Sequence, residues 1–384
     1  MNFTALFTLM AQKKASDLFI TAGRSPTIKV DNELIETSKT PLTADEALDV
    51  VLSIMNPRQK AEFENTKECQ FGIGVPEFGR FRVSAFTQRD SAGMVMRRIE
   101  NEIPDAESLH LPLILKEMIM EKRGLILFVG ATGTGKSTSL AALIKHRNQN
   151  SHGHIITIED PIEFQHPHLG CIITQREVGI DTASYEVALK NTLRQAPDVI
   201  LIGEIRTRET MQNAITFAET GHLCLSTLHA NNANQALERI LHFFPDEAHS
   251  QLLMDLSLNL KGIVAQQLIK RSDGKGRYPA VEILINTPLA KDFIREGDIH
   301  KLKDLMKDSR ELGMQTFDQA LFDLYVAGKI SYEDALNSAD SRNEVRLMIK
   351  LSTENTNTFE NDEMLLSETD ESKNFSNTIF KKPG

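Results

Sequence analysis

The sequence predicts an α/β fold in two parts: a small N-terminal α/β unit, then a mainly parallel sheet covered by helices. Three observations carry this. Gly130-Ala131-Thr132-Gly133-Thr134-Gly135-Lys136-Ser137 fits G-x-x-x-x-G-K-[ST], the phosphate-binding loop. An apolar run, Gly124 to Val129, precedes it, and a good helix opening, Ser137 to Lys145, follows, so strand, loop and helix stand in the order the motif needs. Further apolar runs at His154 to Ile158, Val199 to Ile202 and Leu223 to Leu228 alternate with helical stretches, the pattern of a parallel sheet between helices.

Along the chain, residues 1–98 form the small unit. A helix is expected over Phe3 to Lys14 and strands over Asp17 to Ala22 and Thr27 to Val30, with a turn at Gly23 to Pro26. Thr43 and Glu46 form a capping box, behind which Leu48, Val51, Leu52 and Met55 fall at helical spacing. Arg80 to Phe86 and Met94 to Ile99 read as strands carrying Arg82 and Arg97; from spacing alone both arginines suit a solvated strand face. Residues 99–113, polar and holding Pro104 and Pro112, are a linker and hinge. Residues 114–352 hold the phosphate loop and, beyond Gln251, a helical part: Leu252, Leu256, Leu260 and Ile263 give one apolar face, and Phe317, Leu321, Leu324 and Tyr325 another, ended by Gly328. Residues 353–384, with seven acidic side chains against three lysines, read as a low-order acidic tail.

Composition bounds the function. The 384 residues are 41% hydrophobic and 25% charged, ordinary for a soluble globular protein. A net charge of -10 argues against a surface that embraces nucleic acid as a whole. Cys69, Cys171 and Cys224 lie far apart without metal-ligand spacing, which suits a reducing compartment. No signal peptide and no apolar run near the ~18 residues of a membrane span is visible, so the expectation is a cytoplasmic protein without stable membrane insertion.

The chemistry gathers at strand ends. Gly130 to Thr138 would cradle phosphates with backbone N–H groups, Lys136 reaching the β/γ-phosphates and the Ser137 hydroxyl offered to Mg²⁺. Glu159-Asp160-Pro161-Ile162-Glu163 follows a strand, where ligands meet a parallel sheet; Glu163 suits orienting or deprotonating an attacking water. As a bland alternative, these acids cap the following turn. Asp198 to Glu204 runs four apolar residues through Gly203 into an acid, so a buried strand delivers Glu204 to the magnesium shell, through a water. His229, at a strand C-terminus on the loop's side of the sheet, suits a γ-phosphate sensor. His222 stands at the strand's other end, and the pair is too far apart for a metal site.

Together the phosphate loop, the Glu159–Glu163 box, Leu193-Arg-Gln-x-Pro-Asp198, Gly203-Glu204-Ile-Arg206, and Thr220-Gly-His222 with Thr227-Leu-His229-Ala resemble the secretion and type IV pilus ATPases over about Ala15 to Ile349. Ala15-Ser-Asp-Leu18 is similar to the retraction branch, the PilT and PilU group. Phe19, the partial match at Ala290 to Glu296, and Gly313 to Tyr325 with the extended tail look PilU-like. The resemblance implies a PAS-like N-terminal domain, a RecA-like ATPase domain and a homohexamer using ATP and Mg²⁺. It also implies a PilT-type partner and an inner-membrane platform protein at the pilus base. In this light Arg82 and Arg97 would reach the nucleotide as arginine fingers. Pilus extension or type II secretion ATPases, a RecA-like nucleic-acid translocase and a non-hydrolysing adaptor stay open as alternatives.

Overall fold

The structure is a computed structural model that describes residues 3–31, 33–76, 78–99 and 102–352; the acidic tail read at 353–384 lies outside the described residues. In the N-terminal part, α1 (Phe3–Lys13) leads into β1 (Asp17–Thr21), β2 (Thr27–Val30) and β3 (Glu33–Glu36). Helices α2 (Ala44–Ser53) and α3 (Pro57–Thr66) follow, then β4 (Glu68–Val75), β5 (Gly79–Gln88) and β6 (Ser91–Arg98). The six strands pair antiparallel in the order β3-β2-β1-β6-β5-β4. The capping box opens α2: the Glu46 amide donates to the Thr43 hydroxyl, and the Thr43 amide donates to the Glu46 carboxylate at 2.8 Å. Its buried face is Ala47, Val50 and Val51, whereas Leu48, expected there, is exposed.

Residues 102–113 are not a loose tether. Ile103, Ala106 and Leu111 are buried, and the last two pack with the core of the second part. That part runs α4 (Ile114–Ile119), β7 (Gly124–Val129), α5 (Lys136–Asn150), β8 (Gly153–Glu159), β9 (Cys171–Glu177), α6 (Tyr185–Thr192), β10 (Val199–Ile202), α7 (Arg208–Glu219), β11 (Leu223–Leu228), α8 (Ala233–Leu241) and α9 (His249–Asn259). It continues through β12 (Leu260–Lys270), β13 (Arg277–Ile285), α10 (Pro288–Glu296), α11 (Leu302–Asp308), α12 (Phe317–Val326) and α13 (Tyr332–Ser338). The sheet order is β13-β12-β7-β11-β10-β8-β9, parallel except for the β12–β13 pair.

The helical face expected over Leu252, Leu256, Leu260 and Ile263 stops at Asn259, where α9 ends. Leu260 and Ile263 lie on a strand, not on a helical face. The apolar residues of β12 fit both periods, and long-range pairing decides: β12 is held by β7 on one side and β13 on the other, and six of its first seven residues are buried.

Register fixes the working edge. Val129 stands beside Leu228, and Ile202 beside both Ile158 and Ser226, so β7, β8, β10 and β11 end together. Ligands bind at that edge of a parallel sheet.

Glu282, 1% exposed on β13, ties the helical part to the sheet. It accepts the amides of Ala233 (2.8 Å) and Phe317, at the starts of α8 and α12, with Lys303, Asp318 and Asp340 facing the cluster. Burial raises its carboxyl to about 7, from an ordinary 4.5. The native state therefore binds this proton more tightly than the unfolded chain, and the stability so gained is lost as pH rises from 4.5 through 7. Melting curves should show Tm falling across that window, with a flatter dependence in Glu282→Gln.

Candidate nucleotide site

The loop leaves β7 at Gly130 and re-enters regular structure at Lys136, the start of α5. Two of its glycines are required by space. A Cβ on Gly130 (φ +154°) would stand 2.7 Å from the Gln266 carbonyl, and one on Gly135 (φ +87°) 2.8 Å from the Gln266 side-chain nitrogen. Lys136 Nζ donates to the carbonyls of Gly130 (2.7 Å) and Ala131 (2.9 Å) and is nine-tenths buried. Burial lowers its affinity for a proton, and the charges of Glu204 and Glu163 oppose that shift without cancelling it.

Thr132 to Thr138 line a cavity of about 580 Å³ together with Glu159, Asp160, Glu163, Glu204, Arg206 and His229. Each acid arrives as its strand dictates: Glu159 ends β8, Asp160 and Glu163 follow it, and Glu204 stands two residues past β10. His229 Nε2 lies 3.1 Å from Glu204 Oε1, and Arg206 holds Glu204 Oε2 at 2.7 to 2.8 Å. Glu159 keeps some exposed surface as a residue, but its carboxyl is enclosed. Burial raises that carboxyl to about 7 against the hydrogen bonds from Thr157 (2.6 Å) and Gln175 (3.2 Å). Glu163 is exposed to the cavity, where a water can reach it.

Three residues singled out in the sequence stand apart from this group. Arg82 Nε lies 3.3 Å from Glu177 Oε1, across the two parts, and lines a small neighbouring pocket with Asp160 and Glu177. Arg97, opposite Arg82 on the adjacent strand, pairs with Asp17 at 2.8 Å and is largely exposed. His222, at the far end of β11, bonds near Thr220 and the Phe217 carbonyl.

Sequence reasoning passed over the supports. Gln175 donates to Glu159 and to the Phe164 carbonyl (2.9 Å) and accepts the His166 amide (2.8 Å), stapling the acidic loop to β9. Glu177 Oε2 accepts the Ile162 amide at 3.3 Å. The sequence signal for β9 is weak: Cys171, Ile172 and Ile173 are followed by four polar residues, without the alternation of a half-buried strand.

The donors suit Mg²⁺. Among the described residues no group of three or more His, Cys, Asp or Glu could hold a metal alone. A hydroxyl and a carboxylate facing a phosphate loop are nonetheless the hard oxygens that Mg²⁺ takes when substrate phosphates and waters complete its shell.

The model of the type II/IV secretion system protein family matches residues 3–315. The chain belongs to that family. Among family relatives, the chain is 64% identical over 354 residues to the type IV pilus ATPase PilU of Pseudomonas aeruginosa, covering 92% of this chain and 93% of that one. It is 40% identical to the type IV pilus retraction ATPase PilT of the same organism, over 88% of this chain and 98% of that one. A crystal structure of the pilus retraction motor PilT with bound ADP superposes with a TM-score of 0.84 at 38% identity, over 90% of this chain and 98% of that one. Among the described residues of this family member, no helix is long and apolar enough to cross a membrane.

Proposed function

We propose that this chain is an ATP-hydrolysing motor that powers or assists type IV pilus retraction, the movement behind twitching motility. One observation supports it above the rest: the phosphate loop, Glu163, Glu204 and His229 share one cavity, in a chain 64% identical to a pilus ATPase.

In this reading the loop amides and Lys136 bind the triphosphate. Ser137 and Glu204, the latter through a water, would hold Mg²⁺, which supplies neutralising charge at the phosphates. Glu163 orients the attacking water and takes its proton. His229, held by Glu204, reads the γ-phosphate, while Arg206 keeps Glu204 in place. Glu159, packed behind them, keeps the acidic loop in shape. Arg82 and Arg97 come from the small domain; Arg82 must leave Glu177 before it can reach a phosphate. Closure of residues 1–98 on residues 114–352, through the 99–113 connection, would then couple hydrolysis to movement. Six copies in a ring, working at the cytoplasmic base of the pilus with a PilT-type partner and a membrane platform protein, complete the proposal.

The arginine step is testable. Arg82→Ala lowers kcat by about tenfold or more, short of the ~10³ of a fully engaged finger, and leaves ADP affinity unchanged. Steady-state kinetics with ADP titrations reads this; wild-type kcat would remove Arg82 from the mechanism. For the biological role, pilus retraction is followed in cells lacking this chain, the PilT-type motor, or both. Reduced retraction force without this chain is expected, and undiminished retraction in each background would contradict the proposal.

A further inference from the structure

β12 carries one side chain that its surroundings do not invite. Gln266 is an amide in an apolar strand, 2% exposed. A buried amide needs partners, and it has two. Nε2 donates to the Thr134 carbonyl at 2.8 Å, and Oε1 accepts the Ser139 hydroxyl at 2.8 Å. A carbonyl only accepts, so the NH₂ end must face Thr134. The side chain thus spans from the loop to the first turns of α5.

Its place on the strand explains how. Ala265, opposite Val129, is the last β12 residue paired with β7. Gln266 therefore stands where the chain leaves the sheet as the loop. Its carbonyl and side chain occupy the space that side chains at Gly130 and Gly135 would need.

We propose that Gln266 is a positioning residue for the phosphate loop. In a trans peptide the C=O and N–H point to opposite sides. Fixing the Thr134 carbonyl on Gln266 turns the Gly135 N–H away from β12, to the side that receives phosphates. Ser139, on the helix that the loop opens, braces the amide from behind. The loop's shape is thus set by a residue some 130 positions away in sequence. This rests on the nucleotide reading above.

The test uses the purified full chain, with ADP titrations, steady-state kinetics and melting curves without nucleotide. Wild type must bind ADP; if it does not, the nucleotide reading fails and not this one. Gln266→Glu is nearly the same shape but sets an acceptor against the Thr134 carbonyl. Its Kd for ADP should rise about tenfold or more, the loss of one hydrogen bond to a charged group, with KM for ATP rising by a larger factor than kcat falls. Ser139→Ala should shift Kd in the same direction by less. Gln266→Met, which keeps length without a donor, should behave like Gln266→Glu and covers a misfolded glutamate variant. Folded Gln266 variants that bind ADP as wild type does would overturn the proposal, even with a lowered Tm.

Discussion

Lys136→Ala should lower ATP turnover by roughly 10³, with ATP affinity reduced and the fold kept. The lysine is the cation that the loop itself offers to the phosphates, and Glu163 and Glu204 both act on it. Its removal leaves those carboxylates facing a triphosphate of the same sign. Lys136 belongs to none of the three hydrophobic cores, and its two bonds are to loop carbonyls, those of Gly130 and Ala131. Circular dichroism and phosphate-release assays check this together: near-native spectra with turnover at the background level are expected, and turnover at the wild-type rate would dismiss the loop as the phosphate site.

Glu204→Gln should separate binding from chemistry. The variant keeps its shape between His229 and Arg206, so nucleotide still enters. It lacks the charge that the magnesium shell and the developing transition state require, and hydrolysis falls by about 10² to 10⁴. Glu163→Gln should give the same separation by disabling the water. Filter binding of labelled ATP set against phosphate release reads the difference. Retained ATP with little phosphate is expected for both, and normal release by either variant would strip that acid of its role.

Much of this arrangement is legible in the sequence because it is local. The loop, its strand and its helix are contiguous, and the acids sit at the ends of apolar runs, so strand direction alone sends Glu159 and Glu204 to one edge. The α2 capping box is likewise three residues wide. What escaped depends on distance. α3 buries only Phe63, so no apolar period announces it. β12 reads equally as helix until β7 and β13 are placed on either side. Gln175 and Glu177 support the acidic loop by hydrogen bonds across 9 to 16 residues, a reach that no short motif records. The same holds for Arg82, whose partner Glu177 lies 95 positions on.

The most direct measurement is phosphate release by the purified chain given ATP and magnesium, with equilibrium ATP binding followed on the same preparation. Saturable binding and many phosphates released per chain are predicted, with both signals lost in Lys136→Ala. A folded preparation that takes up no ATP and releases no phosphate above background would contradict the account at its centre.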